Sequence, residues 1–77
     1  MYFRTKTGST YSLDAGPECW EVIRIGGPES GVMPLYAPRR LDPDWCPAVK
    51  RGVRCMLGLD DGTVLRTSAV TEIFNDE

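Results

Sequence analysis

The residues able to do covalent or metal chemistry are few in this 77-residue chain. Histidine is absent, which removes the commonest general base and every Ser–His or Cys–His nucleophile pair. Cys19, Cys46 and Cys55 include no C-x-x-C pair, and a structural zinc site normally needs four Cys or His ligands. We interpret the cysteines as small thiols that fill strand positions, and we expect no enzyme activity, no metal and no cofactor.

Two pairs of neighbouring carboxylates also have simple structural interpretations. Asp42 precedes a proline and can cap a single helical turn shared with Asp44. Asp60-Asp61-Gly62 has the composition of a tight turn. Weak binding of a divalent ion is the functional alternative for both pairs.

The segment from Tyr36 to Arg54 combines cations with large side chains. It holds five positive and two negative residues, a local charge of +3 in a chain whose total is −2. Aromatic and arginine side chains are typical anchors of protein interfaces. We therefore predict a partner-binding surface made of the following residues: Tyr36, Arg39, Arg40, Trp45 and Arg51. In the alternative, Trp45 and Leu41 fold back to cap an open end of the fold, and the arginines form a solvated rim.

This surface suits an acidic protein, and the same combination of residues stacks on and neutralises single-stranded nucleic acid. The sequence pI near 5 argues against a dominant role in nucleic-acid binding, which usually needs a basic domain. No stretch approaches the roughly 18 apolar residues of a membrane span, and the N-terminus lacks the apolar core of a signal peptide. We expect a cytoplasmic protein.

Two similar turns position these residues, Lys6-Thr7-Gly8 and Asp60-Asp61-Gly62. Each is read as a three-residue loop with glycine in the left-handed conformation, which sets the register of a hairpin. Both registers place the apolar residues of the paired strands on one face. The predicted pairs are Thr5 with Ser9, Phe3 with Tyr11, Met1 with Leu13, Leu59 with Thr63, Leu57 with Leu65, and Cys55 with Thr67.

Six or seven short strands are predicted along the chain, at 2–6, 9–14, 19–25, 32–37, 53–59, 63–67 and 70–74. Residues 19–25 form a central strand that is covered on both faces, and Pro34 makes 32–37 an edge strand. Ser68-Ala69 is a brief kink, and residues 38–52 are one long irregular loop. This spacing predicts a single all-β domain over residues 1–77, a small SH3-like barrel of five or six strands. An open sheet packed on a short helix is the alternative.

The two ends of the chain, Phe3-Arg4-Thr5-Lys6-Thr7-Gly8-Ser9-Thr10-Tyr11 and Gly62-Thr63-Val64-Leu65-Arg66-Thr67-Ser68-Ala69-Val70, resemble small uncharacterised proteins from phages and prophages of actinobacteria. The resemblance implies a context, because short phage accessory proteins commonly bind one host or defence protein. Some anti-CRISPR proteins share this size and acidity. We therefore predict a phage-encoded, non-enzymatic binding module that modulates or inhibits a host or defence protein through its long loop. A barrel that binds single-stranded nucleic acid and an oligomeric assembly protein of a phage particle are the alternatives.

Overall fold

A computed structural model describes residues 1–27 and 34–75, which form six antiparallel β-strands. The strands are β1 (Tyr2–Thr5), β2 (Thr10–Ala15), β3 (Trp20–Gly26), β4 (Arg39–Arg40), β5 (Arg54–Gly58) and β6 (Val64–Phe74). No residue in the two described ranges is helical. The same ranges hold no helix that is long and apolar enough to cross a membrane. The predicted all-β class is confirmed.

The sheet curls until its two outer strands meet. Its strand order is β4-β3-β2-β1-β6-β5, so β4 and β5 stand at opposite edges. Leu41, directly after β4, forms an isolated antiparallel bridge with Leu59, directly after β5. Two backbone hydrogen bonds of 2.9 and 3.0 Å flank this bridge. The contact covers backbone groups that an open sheet would expose at its edges, as in a small barrel.

The first predicted hairpin forms in the predicted register, and the second keeps that register near its turn. The turn glycines Gly8 and Gly62 have φ values of 92° and 88°, the left-handed conformation that a residue without Cβ adopts at little cost. Phe3 lies opposite Tyr11, and Leu57 lies opposite Leu65. Three more predicted pairs are joined by backbone hydrogen bonds of 2.8 to 2.9 Å: Thr5 with Ser9, Leu13 with Met1, and Leu59 with Thr63. The register of the second hairpin shifts between Arg54 and Met56, where Cys55 donates its backbone N–H to Thr67 Oγ1 at 3.0 Å.

The core lies inside the curled sheet. Its buried apolar residues are Phe3, Tyr11, Leu13, Val22, Leu41, Cys55, Leu57, Leu59, Leu65 and Val70. The Phe3 and Tyr11 rings stack with their centroids 5.2 Å apart. Trp20 and Trp45 are partly buried against this cluster. Arg24, which is 2% exposed, shares the inward face of β3 with Val22.

The prediction of one irregular loop over 38–52 is wrong at its start. Arg39 and Arg40 form β4 and pair with Val22 and Glu21 of β3. The hydrogen bonds that make Arg39 and Arg40 a strand are formed with β3, which is distant along the chain. The local sequence therefore did not indicate β4. The turn predicted at Asp42 is present, since its backbone oxygen accepts the Trp45 N–H at 2.9 Å and its Oδ1 accepts the Asp44 N–H at 2.9 Å.

Two further strand predictions need correction. The predicted kink at Ser68-Ala69 does not divide two strands, because β6 runs unbroken from Val64 to Phe74. Instead, β6 changes neighbours at this point, pairing with β5 up to residue 69 and with β1 from residue 70. Of the predicted strand 32–37, residues 32 and 33 lie outside the described residues, and residues 34–37 form a turn.

Candidate functional site

The five predicted partner-binding residues are attached to different strands. Tyr36 donates its backbone N–H to the Arg24 oxygen of β3 at 2.8 Å. Tyr36 is 70% exposed and has a φ of 57°, a conformation uncommon for a residue with a bulky side chain. Arg51 is exposed and bridges Val70 of β6. Tyr36 and Arg51 are thus fixed by separate strands of the barrel.

Arg39 and Arg40 are engaged in ion pairs on opposite faces of β4, because successive strand residues point to opposite sides. Arg39 Nη2 lies 2.9 Å from Asp61 Oδ2, and Arg40 Nη2 lies 3.7 Å from Glu18 Oε2. The pKa of Arg40 is raised, first by a hydrogen bond to the Cys19 side chain. An acidic partner would have to compete with these neighbours for either guanidinium.

Trp45 lies flat against the outer side of β5. A Cβ placed on Gly58 would lie 2.5 Å from Trp45 Cε3 and 2.8 Å from each of the two ring atoms bonded to it. These similar distances put Gly58 over the face of the ring rather than beyond its edge. Since Leu57 and Leu59 point into the core, the absent side chain of Gly58 would point outward. Trp45 therefore covers the barrel wall, whereas Leu41 is part of the core.

The outer side of the β5–β6 hairpin combines exposed apolar side chains with cations. Met56 is 52% exposed and Val64 45% exposed, and Val64 pairs with the glycine that Trp45 covers. Arg66 lies opposite Met56, and Arg54 lies two residues before Met56 on the same strand. Within residues 1–27 and 34–75, neither arginine forms an ion pair. We call these four residues, together with the ring of Trp45, the hairpin face.

A cleft of about 300 Å³ also has Trp45 in its wall. Its other lining groups include a second indole, two prolines and two carboxylates: Trp20, Pro17, Pro43, Glu18 and Asp44. Two adjoining clefts share Cys19 and bring in three more carboxylates, Asp14, Glu21 and Asp60. Arg40 is the one cation among the described residues that line the three. We call the cleft with the two indoles the acidic cleft.

The three thiols are divided between these regions. Cys19 and Cys46 line the acidic cleft and are half-buried and exposed, respectively. Cys55 lies beneath the hairpin face, where burial raises its pKa to about 11. In the described part of the chain, no three His, Cys, Asp or Glu residues converge in a way that could hold a metal ion. The accessible thiols are therefore those of the cleft.

Sequence reasoning missed Met56, Val64 and Arg66 as surface residues of interest. The signal was present in the predicted hairpin, because the register that sends Leu57 and Leu65 inward sends their neighbours outward. The strand glycine Gly58 was a second signal, since glycine within a strand often marks close approach of another group.

Comparison of the chain with known protein families, curated proteins and solved structures gives no match. The function of the protein is therefore inferred from the geometry of the hairpin face and of the acidic cleft.

Proposed function

We propose that this protein is a non-enzymatic binding module that recognises an acidic surface of a protein partner through its hairpin face. The observation that carries the proposal is the exposure of Met56 and Val64 beside Arg54 and Arg66, which have no ion-pair partner among the described residues. Apolar side chains at the centre and arginines at the border are typical of protein interfaces.

Trp45 supplies a rigid border to this surface. Its ring is already held against Gly58 in the free protein. Because the ring loses little conformational freedom on binding, the entropy cost of association is lower than for a mobile side chain. Met56 is the flexible element, because an unbranched thioether adapts to irregular contours. A fixed indole beside an adaptable methionine supports recognition of one protein surface without a deep pocket.

The predicted anchors contribute unequally to this proposal. Trp45 belongs to the hairpin face, and Arg51 adds an exposed cation three residues before Arg54. Arg39 and Arg40 are already paired with acids of this chain. The charge offered to a partner therefore comes mainly from Arg51, Arg54 and Arg66.

As part of the same proposal, and in line with the phage context expected from the two chain ends, the partner is a host or defence protein. The proposed role is then to modulate or inhibit that protein in the bacterial cytoplasm. A small surface that joins acidic and apolar groups on the target would suffice, because local charge steers association even when the net charge of the binder is negative.

Single-stranded nucleic acid is the second candidate ligand, favoured by the exposed arginines beside Trp45. Aromatic rings and arginines bind single strands through stacking and charge neutralisation. Such binding would fall steeply as the salt concentration rises, because bound phosphates release counterions.

The test is affinity capture from an actinobacterial lysate with the wild-type protein, Arg66→Glu and Lys6→Glu, each with and without nuclease. The two variants change charge equally, but Lys6 lies in the turn of the other hairpin. We expect a stoichiometric protein that survives nuclease, is lost with Arg66→Glu and is kept with Lys6→Glu. Equal capture by all three proteins would overturn the proposal, and recovery that disappears with nuclease would favour nucleic acid.

A further inference from the structure

We propose that the acidic cleft is a second binding site, which takes the arginine side chain of an extended peptide segment of a protein partner. The inference goes beyond the proposed function, because the cleft is a different surface of opposite charge. It rests on three properties of the cleft: the unpaired carboxylate of Asp44, two indoles and a small volume.

One carboxylate of the cleft, that of Asp44, is available to a ligand. Asp44 uses its backbone N–H to contact Asp42, and its own carboxylate has no hydrogen bond or ion pair within the described ranges. Glu18 pairs with Arg40 at 3.7 Å, but its side chain is 81% exposed and can face a second cation as well. An incoming cation would therefore gain a charge-assisted contact with Asp44 and would share Glu18 with Arg40.

The aromatic walls favour a planar cation. One face of Trp45 rests on Gly58, which leaves the opposite face turned away from β5. Trp20 is half-buried and lines the same cleft. A guanidinium stacks on aromatic rings and pairs with carboxylates at the same time, and it is more weakly hydrated than an ammonium group. The combination therefore favours arginine over lysine.

The dimensions and the charge limit what else could bind. A volume of about 300 Å³ is at the small end of the range for ligand pockets, so it admits one long side chain rather than a folded element. Phosphates and acidic peptides are disfavoured by the two carboxylates that line the cleft, Glu18 and Asp44. Pro17 and Pro43 are stiff residues that do not close over a ligand, which suits a segment passing across the surface.

The test uses the peptide acetyl-Pro-Arg-Pro-amide and its citrulline counterpart, which has the same shape without the charge. Binding is followed by the NMR signals of the two indole N–H groups and of the backbone amides. We expect saturable shifts at Trp20, Trp45 and residues 44–46, with the arginine peptide binding about tenfold more tightly than the citrulline peptide. The arginine peptide should also bind less tightly as salt is added.

A matched pair of variants locates the site. Asp44→Asn removes a cleft charge and should weaken binding several-fold, whereas Glu72→Gln, which removes an exposed charge from β6, should leave binding unchanged. Equal binding of the two peptides, shifts centred on Met56 and Val64, or no saturation at about 10 mM peptide would each overturn the inference. Loss of this site would leave the hairpin-face proposal intact, since that depends on Arg66.

Discussion

The hairpin face and the acidic cleft differ in shape and charge, although Trp45 belongs to both. The hairpin face is formed by strand residues that point outward and carries Met56, Val64 and two arginines. The cleft is formed mainly by turn residues and carries carboxylates around two indoles. A net charge of −2 describes neither surface. The difference teaches that, if the two surfaces bind as proposed, local charge rather than net charge decides which ligand each surface takes.

Gly58→Ala should disturb both regions at once, because the added methyl group displaces Trp45, the residue that the two regions share. Alanine normally stabilises a strand relative to glycine, but here its Cβ would lie 2.5 Å from the Trp45 ring. We expect the free energy of unfolding to fall by about 1–3 kcal/mol, as in other overpacked sites. Urea denaturation followed by tryptophan emission measures the change.

Gly26→Ala is the control for this prediction. The nearest atom to its new Cβ would be Thr10 Cβ at 3.8 Å, an ordinary contact. This variant should be as stable as the wild type or slightly more stable. If Gly58→Ala behaved in the same way, Trp45 would not rest on β5, and the hairpin face and the cleft would have no shared wall.

Cys55 distinguishes the buried thiol beneath the hairpin face from the accessible thiols of the cleft. Burial raises its pKa to about 11 from an ordinary 9.0, so the unfolded chain loses the thiol proton at lower pH than the folded chain does. Its contribution to stability is therefore complete below pH 9 and is lost as the pH rises toward 11, by about 2–3 kcal/mol. Urea denaturation across this interval should show a smaller fall for Cys55→Ala. Cys46→Ala, which changes a cleft thiol, should retain the full fall, and equal slopes in all three proteins would contradict the assignment.

Asp61 and Asp44 are expected to differ in what neutralisation does to the stability of the fold. The pKa of Asp61 is lowered, first by hydrogen bonds from Thr63 and then by Arg39. The stability that Asp61 provides is present above its unfolded pKa and is lost as the pH falls through its folded pKa. Asp61→Asn should therefore flatten the acid limb of the stability curve.

Asp44→Asn should leave the free energy of unfolding at pH 7 close to that of the wild type, because the Asp44 carboxylate accepts no hydrogen bond within the described residues. The measurement is the free energy of unfolding at pH 7 for Asp44→Asn and at intervals of pH for Asp61→Asn. A loss of stability in Asp44→Asn would mean that the cleft carboxylate stabilises the fold, and it would weaken the case that this group is free for a ligand.

The hairpins could be predicted from the sequence because their determinants are local. A glycine at each turn fixes the loop, and alternation then decides which residues face inward, so Phe3–Tyr11 and Leu57–Leu65 follow directly. The closure of the sheet could not be predicted in the same way. The strand at Arg39–Arg40 depends on β3, and the bridge at Leu41 depends on Leu59 beyond β5.

The candidate surfaces could be predicted only in part, for a related reason. Trp45 was identifiable as a large side chain in a loop, but its position depends on Gly58, a residue in another element. Arg39 and Arg40 were identifiable as cations, whereas their acids Asp61 and Glu18 become neighbours only through folding. The number of cations in a sequence segment therefore overestimates the positive charge that is available to a partner, because some cations pair with acids of the same chain.

The most direct test of the central claim is isothermal titration of the captured protein partner with the wild-type chain, Arg66→Glu and Lys6→Glu. The hairpin-face account predicts that Arg66→Glu weakens binding at least about tenfold while Lys6→Glu stays close to wild type. Thermal denaturation of each variant confirms that it is folded under the conditions of the titration. Equal affinity of Arg66→Glu and Lys6→Glu would contradict the account, because the partner would then bind somewhere other than the hairpin face.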